Sequence, residues 1–147
     1  MQQGSIVALH IARVKETPSD RVTEATAISA QGLEGDRSCR ADNVRQVLIM
    51  DQETLDRLEL EPGQIKENIT TSGIELHSLK RGQQLTLGDE VVLQITGYCA
   101  PCPRIDEIRM GLREEMVEQR GMLAKVVTGG TIKTGDPISV LETAKTA

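Results

Sequence analysis

Apolar and polar residues alternate with a period of two over most of the chain, the signature of half-buried strands. Ser5 to Ala12 is a β-branched and apolar run that predicts a first strand. Lys15 to Asp20, with Pro18 inside it, predicts a loop, and Val22 to Ser29 a weaker second strand. From Gln31 to Arg37 two glycines, Gly32 and Gly35, stand among acidic residues, a composition that turns the backbone, and the polar Ser38 to Asn43 stretch that follows reads as exposed. Arg45 to Met50 predicts a strand. Asp51 then stands where a helix N-cap belongs, with Leu55 and Leu58 on one helical ridge and Pro62-Gly63 as the stop. Extension resumes over Ile65 to Thr70 and breaks at Gly73.

Leu85 and Leu87, the Gly88-Asp89 turn and the Val91 to Thr96 run give the strongest hairpin signal, and its second arm leads directly into Cys99-Ala100-Pro101-Cys102. After Pro103 the period changes: Ile105, Ile108, Leu112 and Met116 recur at spacings of three and four, a helical stripe. Gly111 inside it costs about 1 kcal/mol against Ala, so two shorter helices are the alternative. Leu123 to Thr128 and Pro137 to Leu141 predict the closing strands, Gly129-Gly130 and Gly135-Asp136 the turns, and Thr143 to Ala147 a loose tail. Many short strands separated by glycine turns, with two helical inserts, argue for a mostly β fold, a closed or partly closed β-barrel, over a βαβ arrangement. No linker or repeat divides the 147 residues, which predict a single domain around one core.

Composition narrows the partners. With no Phe, no Trp and Tyr98 as the one aromatic, the core is aliphatic and offers no base-stacking platform. A formal net charge of -5 gives no phosphate-tracking footprint, so nucleic acid is not an expected partner. No apolar run approaches the roughly 18–20 residues that span a bilayer, and the amino terminus lacks a basic stretch leading into an apolar one. The expectation is a cytoplasmic protein with no membrane partner. Cys39, Cys99 and Cys102 cannot all pair within one chain, which predicts reduced thiols or a single redox-active pair.

Candidate chemistry centres on those thiols. Cys99 and Cys102 have C-x-x-C spacing, compatible with a dithiol redox pair, half a zinc site, or two small buried hydrophobes at a strand end. Pro103 suits a first helical position and leaves Cys102 at the N-cap, where unpaired amides and the neighbouring Arg104 lower a thiol pKa from its free value of about 8.5. Zinc finds little support, because beyond the pair only Cys39, His10 and His77 offer soft or imidazole ligands, none closely spaced. Glu67-Asn68, an acid and an amide in apolar surroundings, either cap the Pro62-Gly63 turn or orient a loop at a pocket rim. Asp36-Arg37 reads as a turn ion pair or as a guanidinium fork for an anion, and Arg45, at the mouth of a strand, as a similar group or as plain surface. His10 and His77 read as structural. The chain has no G-x-S-x-G, H-E-x-x-H, G-x-G-x-x-G or phosphate-loop motif.

Several pieces in fixed order resemble the MOSC domain family, the module named after the carboxy-terminal domain of molybdenum cofactor sulfurase. They are Gly32 to Arg37, Arg45-Gln46-Val47, Pro62 to Gly73, Leu79 to Gly82 with Leu85 to Gly88, Pro101-Cys102, and Gly121-Met122 to Asp136, and the resemblance covers about residues 4–141. It implies a barrel of the pyruvate-kinase barrel type that binds molybdenum cofactor (molybdopterin) or its sulfurated form. The Pro-Cys cysteine, here Cys102, is implied as metal ligand, persulfide carrier and catalytic residue. On that reading Asp36, Arg37, Arg45, Glu67, Asn68, Cys99 and Arg104 are the expected cofactor-binding neighbours, with Arg37, Arg45 and Arg104 meeting the phosphate. Cofactor-biosynthesis or sulfurase proteins are the implied partners, and family association adds pyridoxal phosphate as a further implied ligand. Larger relatives reduce N-hydroxylated compounds at such a centre with a separate reductase. This sequence shows no second barrel and no four-cysteine ferredoxin segment, it has Cys99 where relatives usually differ, and Ser38 stands where a histidine often follows the Gly-Asp pair. Cofactor handling or sulfur carriage is therefore the first expectation, a molybdenum-dependent reductase the second, and a dithiol redox or structural protein the third.

Overall fold

The computed structural model describes residues 3–15 and 17–141, so the tail expected over Thr143 to Ala147 lies outside the described residues. Seven strands close into a barrel: β1 (Gln3–Ile11), β5 (Val47–Asp51), β6 (Ile69–Ser72), β7 (Gln84–Leu87), β8 (Val91–Tyr98), β9 (Met122–Thr128) and β11 (Pro137–Val140). Around the ring the order is β1-β11-β7-β8-β9-β5-β6 and back to β1. Every contact in the ring is antiparallel except β5 against β6, the pair joined by the helical crossover through α1 (Gln52–Arg57).

β1 is the longest strand because it serves three partners. Its first residues pair with β11, its last with β2 (Asp20–Val22), and the other edge carries β6 across a register shift between Ile6 and Ala8. A second, three-stranded sheet of β10 (Gly130–Lys133), β3 (Glu24–Ile28) and β4 (Gly32–Leu33) lies beside the barrel. The expected second strand, Val22 to Ser29, is thus split between two sheets.

Alternation decides which side chains fill the barrel. Val91, Leu93 and Ile95 of β8 and Leu85 and Leu87 of β7 point inward with Val47 and Ile49 of β5. β5 is buried on both faces. Its outward Met50 joins Leu55, Leu58, Ile65, Ile105, Leu112 and Met116 in a second apolar cluster, and its outward Leu48 joins Cys99 and Leu123 in a third. The expectation of one core is therefore corrected: helical segments that cover the outside of β5 need an apolar interface of their own.

Asp51 caps α1 as expected, with its carboxylate accepting from the Thr54 amide at 3.1 Å and the Thr54 hydroxyl at 2.8 Å. The expected β7–β8 hairpin forms, with Leu87 opposite Val91, so that Glu90 joins Gly88 and Asp89 in a three-residue turn. The stripe after Pro103 takes the two-helix alternative, a 3-10 helix over Pro103–Glu107 and α2 (Leu112–Glu115), because Gly111 between them is left-handed at φ 89. Two expectations are corrected. Gly130 opens β10 instead of belonging to a turn, and Ile65 to Asn68 is not extended, since Lys66 is left-handed at φ 70 and β6 starts only at Ile69. Among the described residues no helix is long and apolar enough to cross a membrane.

Candidate functional site

One end of the barrel is organised by Asp36 and Asn68. Asp36, delivered by the turn after β4, accepts from the Ala12 amide at 2.7 Å, the Ser38 amide at 3.0 Å and the Asn68 side-chain amide at 2.9 Å. Asn68 also accepts from the Leu48 amide at 3.0 Å and donates to the His10 carbonyl at 3.1 Å. Both side chains are buried, and this shared network ties β1, β5 and the approach to β6 to one loop. Asp36 thus receives N–H donors from three segments, where the sequence reading had weighed an ion pair with Arg37.

The loop before β6 is bent to bring Lys66 and Glu67 to opposite sides. Gly63 and Glu67 close it, the Gly63 amide donating to Glu67 Oε2 at 2.8 Å and the Thr70 hydroxyl to the same oxygen at 2.9 Å. The capping role weighed for Glu67 is what the geometry shows. Glu67 is 0% exposed, its Oε1 has no partner among the described residues, and burial raises its pKa against the opposing pull of these hydrogen bonds and of Arg120. Lys66, by contrast, turns outward through its left-handed backbone and donates to the Thr17 carbonyl.

The cysteine segment leaves β8 at Tyr98. The Cys99 amide donates to the Gly121 carbonyl at 2.8 Å, which fixes the thiol against Leu48 and Leu123. Arg45 Nη2 lies 3.8 Å from Cys99 Sγ. Cys102 is exposed and sits as expected at an N-cap, extended at φ -104 and ψ 164, with Pro103 beginning the helix. That helix is a single 3-10 segment of five residues, so the field at Cys102 is that of one turn and not of a full helix. All three cysteines are unpaired thiols, and the Cys39 thiol is pushed up in pKa by burial, Asp36 and Glu34.

These pieces surround a cavity of about 280 Å³. Leu48, Leu123 and Cys99 form an apolar wall, and the brace residues Asp36 and Asn68 line it as well. Six cations complete the lining: Lys15, Arg37, Arg45, Lys66, Arg104 and Arg120. Of the residues singled out from the sequence, Asp36, Arg37, Arg45, Asn68, Cys99 and Arg104 meet here, whereas Glu67 lies behind the wall and Cys102 lies outside the lining. Cys102 is exposed and is flanked along the chain by two lining residues, Cys99 and Arg104. Lys15, Lys66 and Arg120 were not singled out.

Arg120 is the most unusual of the cations, being only 7% exposed. Its Nη2 donates to the Ile65 carbonyl at 2.8 Å, while the buried Nε and Nη1 have no acceptor among the described residues. It is positioned by Gly121, left-handed at φ 113, whose amide donates to His77 Nε2 at 2.9 Å. The bond to Nε2 leaves the His77 proton on Nδ1, 3.6 Å from Asp51, and burial lowers the His77 pKa.

The family model described as the MOSC domain matches residues 36–139, a span that begins at the brace residue Asp36 and ends in β11. The chain belongs to the MOSC domain family. MOSC domains are generally associated with molybdenum cofactor. Solved structures share the fold. The YuaD protein of Bacillus subtilis superposes with a TM-score of 0.81 at 21% identity, covering 95% of this chain and 98% of that one. YiiM from Geobacillus stearothermophilus gives 0.76 at 18% identity over 95% of this chain and 75% of its own. YiiM from Escherichia coli gives 0.68 at 17% identity over 100% and 73%. No curated protein matches the sequence. At these identities the shared feature is the MOSC barrel itself, so the role of its cavity here has to be argued from the residues that line it.

Proposed function

We propose that the cavity binds molybdenum cofactor or its sulfurated form, with the cofactor's anionic end among the cations and the exposed Cys102, close in the chain to the lining Cys99 and Arg104, as the soft ligand. One observation carries the reading: in a chain of net charge -5, six cations line one cavity in which Asp36, the one acid among the described lining residues, already accepts three hydrogen bonds, and the exposed thiol of Cys102 lies two residues before the lining Arg104. A pterin ending in a phosphate asks for charge-assisted donors at one end and a soft ligand at the other. The donor set fits both demands. Among the described residues no three His, Cys, Asp or Glu side chains gather to hold a metal by themselves. A metal here therefore has to bring ligands of its own, as a dithiolene pterin does.

When bound, the cofactor supplies a molybdenum or sulfur centre for redox or sulfur-transfer chemistry. The chain's own residues hold and orient it. Arg37, Arg45 and Arg104 attract the anion, Leu48 and Leu123 keep water from one wall, and Asp36 with Asn68 fixes the loops that carry the cations. Cys102, exposed on an extended backbone, is within reach of a second protein, and a cofactor-biosynthesis or sulfurase protein is the partner this placement suits. Cys99 faces inward and suits a packing role beside Arg45.

The test is elemental analysis for molybdenum with release of fluorescent pterin, on protein isolated from a host that makes the cofactor. Wild type is expected to carry both. Cys102→Ser is expected to carry less molybdenum and less pterin together, since the metal travels on the pterin's own ligands, and Cys99→Ser to keep both. Unchanged molybdenum in Cys102→Ser refutes the ligand role, and wild type without pterin refutes the reading altogether. Reduction of an amidoxime by the loaded protein with artificial electrons separates a reductase from a carrier.

A further inference from the structure

The buried guanidinium of Arg120 raises a question that the other cations do not. Guanidinium carries five N–H donors and cannot shed its charge inside a protein. At 7% exposure, the buried donors on Nε and Nη1 have no acceptor among the described residues, while only Nη2 is engaged, by the Ile65 carbonyl. Burying an arginine with unmatched donors is costly, and natural proteins match such groups. The acid to consider is Glu67, which feels Arg120 electrostatically, yet no hydrogen bond joins them and Glu67 Oε1 is itself without a partner among the described residues. Burial moreover favours the neutral form of Glu67, which weakens it as a counter-charge.

Arg120 is part of the cavity wall, and the residues around it supply what an anion needs. Its place is rigid. Gly121 next in the chain bonds His77 through its amide and Cys99 through its carbonyl, and a Cβ there would lie 2.7 Å from the Ile49 carbonyl. Nη2 is tied to Ile65, one residue before Lys66, so two of the lining cations are held by one short network. Among the described residues Asp36 is the one carboxylate in the lining, and three N–H groups already bond to it. We infer that Arg120 is the fixed donor of an oxyanion subsite at the cavity wall, one that takes a phosphate monoester or a free tetrahedral oxyanion. The flanking Lys66 and Arg45 add charge to the same ligand. The assignment to a cofactor's phosphate rests on the function proposed above; the oxyanion subsite itself does not.

The probe is inorganic phosphate, titrated at constant ionic strength against chloride, with the cofactor-free full chain. Phosphate is expected to raise the Tm of wild type and to move the Arg120 Nε–H resonance in a nitrogen-15 spectrum. Arg120→Gln is expected to lose phosphate affinity by roughly tenfold or more, the worth of a charge-assisted hydrogen bond, and Arg120→Lys to retain part of it. Glu67→Gln is expected to bind phosphate as wild type does. An Arg120 resonance that phosphate leaves unmoved overturns the inference even if the variants fail to fold. So does a Glu67→Gln protein that no longer responds, because Arg120 would then act only through that acid. Phosphate bound through Arg120 by a protein that never acquires pterin keeps the subsite and removes the cofactor. Pterin retained equally by wild type and Arg120→Gln removes Arg120 from the cofactor's phosphate, and phosphate affinity likewise unchanged in that variant removes the subsite.

Discussion

Replacing Asn68 by alanine takes away one side chain and three hydrogen bonds, to the Leu48 amide, the His10 carbonyl and Asp36. Asp36 keeps its Ala12 and Ser38 donors, so the heaviest loss falls on Leu48, whose amide is left without this acceptor inside the protein. An unpaired buried donor costs about 1–3 kcal/mol and each further bond about 1 kcal/mol, which sums to about 3–5 kcal/mol. For a domain of this size that is a fall in Tm of roughly 10 °C or more. Urea unfolding followed by far-ultraviolet circular dichroism is the assay, since the chain has no Trp and one Tyr to report by fluorescence. Asn68→Asp sharpens the test. It keeps an acceptor for Leu48 but sets a second carboxylate beside Asp36, so it is expected to be destabilised at pH 7 and to recover partly toward pH 4 as the pair takes up a proton. An Asn68→Ala protein within 1 kcal/mol of wild type, with unchanged unfolding slope, would falsify the claim that this amide holds the site's loops together.

Glu67 makes a prediction about pH whose sign follows from its raised pKa. The folded state binds that proton more tightly than the unfolded chain, so the associated stability is present below the ordinary value of 4.5 and is lost as pH rises through the folded value. Urea midpoints of wild type should therefore fall relative to Glu67→Gln between pH 5 and 8, and parallel curves would contradict the burial argument. Gly121→Ala places a Cβ 2.7 Å from the Ile49 carbonyl at φ 113, and a loss of about 2 kcal/mol or more is expected in thermal melts, with a wild-type Tm as the refuting result. Alkylation with peptide mapping should modify exposed Cys102 in the folded protein and reach buried Cys99 only on unfolding; equal labelling of both would show that the wall around Cys99 opens.

What could be read along the chain was whatever depended on neighbours. The β7–β8 hairpin followed from alternation on either side of Gly88-Asp89, and the start of α1 from Asp51. β10 was hidden because Gly129-Gly130 has the composition of a turn, while the backbone passes through it into a strand that pairs with β3. The left-handed Lys66 was hidden because its cause is a hydrogen bond from Gly63 to Glu67, which no alternation of polarity records. The cavity shows the same division. Asp36, Asn68 and Cys99 stood out by their motifs, whereas Arg120 is a lone arginine after a polar stretch. Only the fold brings it beside Lys66 and Cys99, residues far from it in the sequence.

The ring of strands is joined by β1 against β11, the first and last strands described. A ribosome-bound fragment that lacks β11 leaves two strand edges open, on β1 and on β7, and such edges invite pairing with other chains. Closure has to wait for contacts between residues more than 130 positions apart, at Gln3 and Ser139, which is the slow kind of folding step.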